Sequence, residues 1–114
     1  MSIASLEDAR HAEQRGAILQ ALRQDYTSKM TSVKALSRAL DLLGYSMTFG
    51  TFQFSLNLLA DSGYIAIWRA DDTPMWRADR LNDTARDTIL FVRMTPKGLQ
   101  LLDGRIAADP SVSF

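Results

Sequence analysis

The chain has 114 residues, 46% of them hydrophobic, with 13 basic and 13 acidic side chains and no cysteine. That length predicts one domain with a core of its own, and the missing cysteines exclude disulfides, thiolate metal sites and thiol nucleophiles. Charge balances segment by segment, so any attraction to nucleic acid has to come from charges sorted onto one face and not from net charge. The opening "MSIASLEDARHAEQ" has no basic stretch leading into an apolar core, so no secretory signal is expected. No apolar run has the length of a membrane span, and the expected location is cytoplasmic.

Ser5 followed by Asp8 resembles a capping box, and good helix formers run from there to about Asp25. Ile18 and Leu22, with Leu19 and Ala21 beside them, predict that the second half packs on a core; the first half, "EDARHAEQR", is polar nearly all round. "DYTSKMTS" predicts a short extended connection or a single edge strand. Ser32 then caps a second helix with Val33, Leu36, Leu40 and Leu43 on its apolar stripe, and Gly44 is placed for a left-handed stop. Thr48 caps a third helix whose stripe is Phe52, Leu56 and Leu59, with Leu58 alongside, and Ser62 and Gly63 end it.

Alternation follows, with Tyr64, Ala66 and Trp68 on one face and Ile65, Ile67 and Arg69 on the other, and a return strand is predicted over residues 88–94. The stretch between carries a turn signal at Asp72, Thr73 and Pro74 and the echo "WRAD" at 68–71 and 76–79. Thr95 and Pro96 start a last helix with Leu99 and Leu102 turned inward, before Gly104. The domain is expected to span 1–106, with "AADPSVSF", 107–114, as a tail.

The order helix, short extended piece, helix, helix, hairpin, helix is an α+β arrangement of the winged helix-turn-helix type, with three helices, a β-hairpin wing with a long tip and a short C-terminal helix. Two stretches are specific: "LLADSGYI" running from the third helix into a strand, and "VRMTPKGLQLL" running from the return strand into the last helix. They resemble the "L..L...G.I" and "LT..G...L" signatures of MarR-, PadR- and ArsR-type regulators. The chain is more similar still to the short winged-helix proteins of Mu-like phages and prophages, through Leu43, Gly44 and Tyr45 before the third helix and Thr95, Gly98, Leu99, Gly104 and Arg105 at the close. The resemblance implies the fold and double-stranded DNA as a partner, in a role in transcription or phage development, without naming an operator.

In such a fold the third helix enters the major groove, where Arg, Lys, Asn and Gln read base edges. From Ala39 to Trp68, however, there is no Lys or Arg. Among its outward positions Gln53 and Asn57 carry amides suited to adenine, Thr51 and Ser55 are lesser partners, and Phe49 or Phe54 could meet a thymine methyl. Phe49, Phe52 and Phe54 cannot share one narrow stripe, so at least one ring is expected to be exposed or covered by a partner.

Lys34 and Arg38, four apart on the second helix, are placed to touch phosphate or to form a plain solvated face. Arg69, Arg77, Arg80, Arg86 and Arg93 make the hairpin the densest basic region, and lie either along phosphates or against the hairpin's own aspartates. Trp68 and Trp76 fit cross-strand packing better than base stacking. His11 has no second ligand nearby for a metal, Asp71 and Asp72 fit a turn better than an acid/base pair, and no nucleophile or phosphate-loop motif occurs, so neither an enzyme nor a cofactor is expected.

The leading expectation is therefore a DNA-binding homodimer that pairs through its terminal helices, with Leu101 spare for the contact. The alternative is a winged helix given to protein interaction, in which Phe49 and Phe54 anchor a protein partner and no DNA is bound.

Overall fold

The computed structural model describes residues 3–24, 31–69 and 90–114. In chain order the elements are α1 (Ile3–Gln24), β1 (Thr31–Ser32), α2 (Val33–Leu42), α3 (Phe49–Asp61), β2 (Ile65–Arg69), β3 (Leu90–Met94) and α4 (Pro96–Leu102). The chain is thus α+β, with an antiparallel sheet ordered β1-β3-β2. The hairpin tip with Asp71, Asp72, Trp76, Arg77, Arg80 and Arg86, and the expected strand residues Thr88 and Ile89, lie outside the described residues.

The helix starts follow from side chains that satisfy otherwise orphaned backbone donors. Ser32 Oγ accepts from the Ala35 N–H at 3.1 Å, and Thr48 Oγ1 from the Thr51 N–H at 3.2 Å. Thr95 Oγ1 accepts from the Gly98 N–H at 3.2 Å, with Pro96 supplying a first-turn residue that has no N–H to satisfy. α2 stops where expected: Gly44 takes φ +88°, and the Tyr45 N–H closes the end on the Leu40 carbonyl at 2.8 Å. α1 begins at Ile3, so Ser5 lies inside the helix and not at its expected N-cap.

Register explains the sheet's two faces. Ile65 pairs with Met94 and Ile67 with Val92, and all four are buried against the helices. Ala66 pairs with Arg93 and Trp68 with Phe91 on the opposite face, which is more open. The core joins the buried face to Ile18, Leu19 and Leu22 of α1, Leu36 and Leu40 of α2, and Phe52, Leu56 and Leu59 of α3. Burying each such side chain contributes about 1.5–3 kcal/mol.

Three core expectations change. Leu43, the C-cap residue of α2, is 61% exposed, as is its helical neighbour Leu42 at 89%. In α4 it is Leu101 that is buried, while Leu99 and Leu102 are only partly so, and a buried Leu101 is not spare for a dimer contact. The third change concerns residues 107–114, which lie against α1: Val112 enters the core, the Ser113 N–H donates to the Ala12 carbonyl at 2.9 Å, and Arg15 Nη1 donates to the Ser111 carbonyl at 2.9 Å.

The two stretches that carry the family resemblance meet in space. The Thr95 hydroxyl donates to the Gly63 carbonyl, and the Thr95 N–H to the Tyr64 carbonyl at 3.0 Å. A Cβ on Gly98 would stand 2.3 Å from the Tyr64 carbonyl oxygen, so α4 can seat against the start of β2 only with glycine there.

Candidate functional site

α3 is the element on which the site was expected, and its exposed face is narrower than its composition suggests. Phe52, Ser55, Leu56, Asn57 and Leu59 are all buried. Asn57, expected to point outward as a base reader, is only 5% exposed, and Ser55 only 1%. The cause is packing: α1 and β2 both contact α3, so its second half is covered on more than the single stripe that a surface helix buries. Thr51 is half-buried, and its hydroxyl accepts from the Thr48 hydroxyl at 3.0 Å within the cap. Gln53 is half-buried and remains the amide nearest the surface.

Of the two candidate anchor rings, Phe49 is half-buried and Phe54 is 60% exposed. The Arg15 guanidinium lies over the Phe54 ring, 5.9 Å from its centroid. That contact aligns the one large exposed apolar side chain of α3 with a cation from α1. Lys97 is engaged elsewhere: its ammonium donates to the Ser62 carbonyl at 2.9 Å and sits 5.3 Å from the centre of the Tyr64 ring. A cation at that place also complements the C-terminal end of α3.

Among the described residues, the exposed cations that were expected at a site are on α2 and β3. Lys34 and Arg38 are both exposed, one turn apart, on a helix whose Leu36 and Leu40 are buried. Arg93 is exposed on the outer sheet face opposite Ala66. Arg69 falls in β2, whereas Arg77 and Arg80 lie outside the described residues. Trp68 is half-buried and its cross-strand neighbour is Phe91. Among the described residues no three His, Cys, Asp or Glu side chains gather as metal ligands.

The sequence reading missed a polar latch between β2's entry and the last residues. The Tyr64 hydroxyl donates to Asp109 Oδ2 at 2.7 Å, and Asp109 Oδ1 accepts from the Ser111 N–H at 2.9 Å. Burial first and the Asp109 contact second push the Tyr64 phenol up to about 12. The Tyr64 hydrogen bond is the main reason that the Asp109 carboxyl is held below its usual range, with Ser111 and Arg15 adding to it against a smaller effect of burial.

Burial also lowers the Arg15 guanidinium from its usual value, opposed by Asp109 and Asp8; arginine nonetheless stays charged. One signal for this latch stands in the sequence. Gly16 stands inside α1, and a Cβ there would be 1.8 Å from the Ser113 carbonyl oxygen.

Among the described residues the surface carries an exposed pair of cations on α2, chemically suited to phosphate, and an exposed phenyl on α3 backed by a guanidinium. No helix among the described residues is long and apolar enough to cross a membrane. No protein-family model, curated protein or solved structure matches this chain.

Proposed function

We propose that this chain is a small winged-helix DNA-binding protein, a transcriptional or phage-development regulator that works as a homodimer. The order α1-β1-α2-α3-β2-β3-α4 with sheet order β1-β3-β2 supports the fold. The observation that carries the function is the Lys34 and Arg38 pair, exposed on α2 while the opposite side of that helix is buried. These cations hold phosphates, with Arg93 and the other hairpin arginines extending the contact along the backbone.

Sequence reading then falls to Gln53, because Asn57 is buried and Thr51 serves the cap. Such a site binds through phosphates more than through bases. Affinity is accordingly weak, and it is tightened by pairing two copies. The exposed residues 6–10 of α1, Leu6 included, supply a surface for that pairing.

A second reading is favoured by one specific observation, the 60% exposure of Phe54 on a helix without cations. Under it, α3 docks a protein partner with Phe54 as the anchor and Phe49 beside it. The experiment that separates the two is a titration of labelled random duplex DNA at several salt concentrations. The first reading predicts affinity that falls steeply as salt rises. Absence of any DNA shift at low salt, at protein concentrations above roughly 10⁻⁴ M, leaves only the second.

A further inference from the structure

Residues 107–114 are held to the domain by few contacts. Val112 alone of their side chains is buried. The Ser113 N–H donates to the Ala12 carbonyl at 2.9 Å, the Ser111 carbonyl accepts from Arg15 Nη1 at 2.9 Å, and Asp109 Oδ2 accepts from the Tyr64 hydroxyl at 2.7 Å. The segment pairs with no strand of the sheet. It can therefore come away without opening a helix or the sheet, as units with few buried apolar contacts do.

One of these contacts reaches α3. Arg15 is only 8% exposed, and the guanidinium that donates to Ser111 is the one that lies over the Phe54 ring. Its Nε is buried without a hydrogen-bond partner, and it forms no ion pair with a described residue. A buried cation so incompletely compensated regains hydration when a neighbour that shields it leaves. From Ala39 to Trp68 the chain holds no Lys or Arg, so a cation beside Phe54 has to come from another element, and α1 supplies it.

We propose that residues 107–114 are an autoinhibitory strap: docked, they hold Arg15 down between Ser111 and Phe54, and released, they free its guanidinium beside α3 as a further contact for DNA phosphate. This inference rests on the DNA-binding reading above. Gly16 marks where the strap can be pried off. A Cβ there would stand 1.8 Å from the Ser113 carbonyl oxygen and 2.8 Å from its carbon. Gly16→Ala therefore expels the strap, while alanine in place of glycine favours the helix of α1. Val112→Ala weakens the one buried anchor and moves the protein the same way by an independent route.

The test joins amide hydrogen exchange to a salt titration of labelled random duplex DNA, on the unchanged protein and both variants. The Ser113 amide is expected to be protected in the unchanged protein and to lose that protection in the variants. The amides of Phe52 and Thr95, bonded to the Thr48 and Tyr64 carbonyls, keep theirs. Gly16→Ala binds DNA more tightly than the unchanged protein, with a slope of log affinity against log salt steeper by about 0.9, the contribution of one phosphate contact. Adding Arg15→Gln to Gly16→Ala restores the original slope.

The proposal is overturned if Ser113 stays protected in Gly16→Ala, or if Ser113, Phe52 and Thr95 lose protection together in both variants, since the segment is then integral to the fold. It is overturned equally by a gain in DNA affinity that survives Arg15→Gln. DNA binding that neither variant alters removes the strap's role alone. Absence of binding by all of these proteins at low salt removes the DNA-binding reading, and the strap's role with it.

Discussion

α2 and α3 are consecutive helices of similar length that differ in how sequence assigns their faces. α2 separates its residue types: Leu36 and Leu40 are buried, and Lys34, Arg38 and Asp41 are exposed. α3 carries no basic residue and has apolar residues on several sides: Phe52, Leu56 and Leu59 form the expected buried stripe, but Phe49, Phe54 and Leu58 lie off it, so hydrophobicity does not fix how far the buried face extends. Tertiary packing decides, and it buries Ser55 and Asn57 while leaving Phe54 60% exposed. Where a helix has apolar residues on several sides, the neighbours choose the inner face, and a polar residue can be drawn in while an aromatic one is left out.

Mutations can break or sharpen this contrast. Leu59, fully buried in α3, and Leu40, 1% exposed in α2, anchor the faces on which pattern and structure agree. Truncating either to Ala is expected to cost roughly 2–5 kcal/mol in chemical denaturation, the largest effect in this series. Asn57→Ala comes next, at about 1–3 kcal/mol, because it removes a buried amide and strands the groups around it.

Phe54→Ala is expected to cost less than about 1 kcal/mol, the scale of an exposed cation–π contact with Arg15. If Phe54→Ala destabilises more than Asn57→Ala, the assignment of α3's faces is wrong.

The smallest effect near neutral pH belongs to the latch. The unfolded phenol ionises near pH ~10, whereas Tyr64 in the folded protein is pushed up to about 12. The folded state therefore keeps a proton that the unfolded chain releases, so stability is unaffected below about pH 10 and falls as pH rises from there toward 12. Asp109 acts at the acid end. Its depressed pKa contributes stability that is present above the unfolded value of ~3.9 and lost as pH falls through the folded one. Melting curves of Tyr64→Phe should lack the alkaline decline attributable to this residue; an unchanged decline would mean that Tyr64 does not hold its proton.

The sequence made local events legible because they depend on a few adjacent atoms. Ser32, Thr48 and Thr95 cap the helices expected of them, and Gly44 stops α2 with a left-handed residue. The alternation from Tyr64 to Trp68 also marked a strand with two faces, of which the structure buries Ile65 and Ile67. What stayed hidden depends on contacts distant in sequence. The latch joins residues 45 and 96 positions apart, Tyr64 to Asp109 and Arg15 to Ser111. A short polar segment such as "AADPSVSF" has no periodicity from which docking could be read, and only Gly16, at the point of closest approach, marked it. The exposed face of α2 was legible, because charge labels it, whereas Asn57 was misread as outward, because nothing in the local pattern marks it as buried.

The proposed role of Lys34 and Arg38 as phosphate contacts is tested most directly by the salt dependence of duplex DNA affinity in three proteins: unchanged, Lys34→Ala with Arg38→Ala, and Phe54→Ala. The double replacement should weaken binding to all sequences and reduce the slope of log affinity against log salt by about 0.9 for each lost phosphate contact, with the melting temperature nearly unchanged. Phe54→Ala should leave that slope as it was. A slope unaltered by losing both cations, or loss of DNA binding through Phe54 alone, would contradict it.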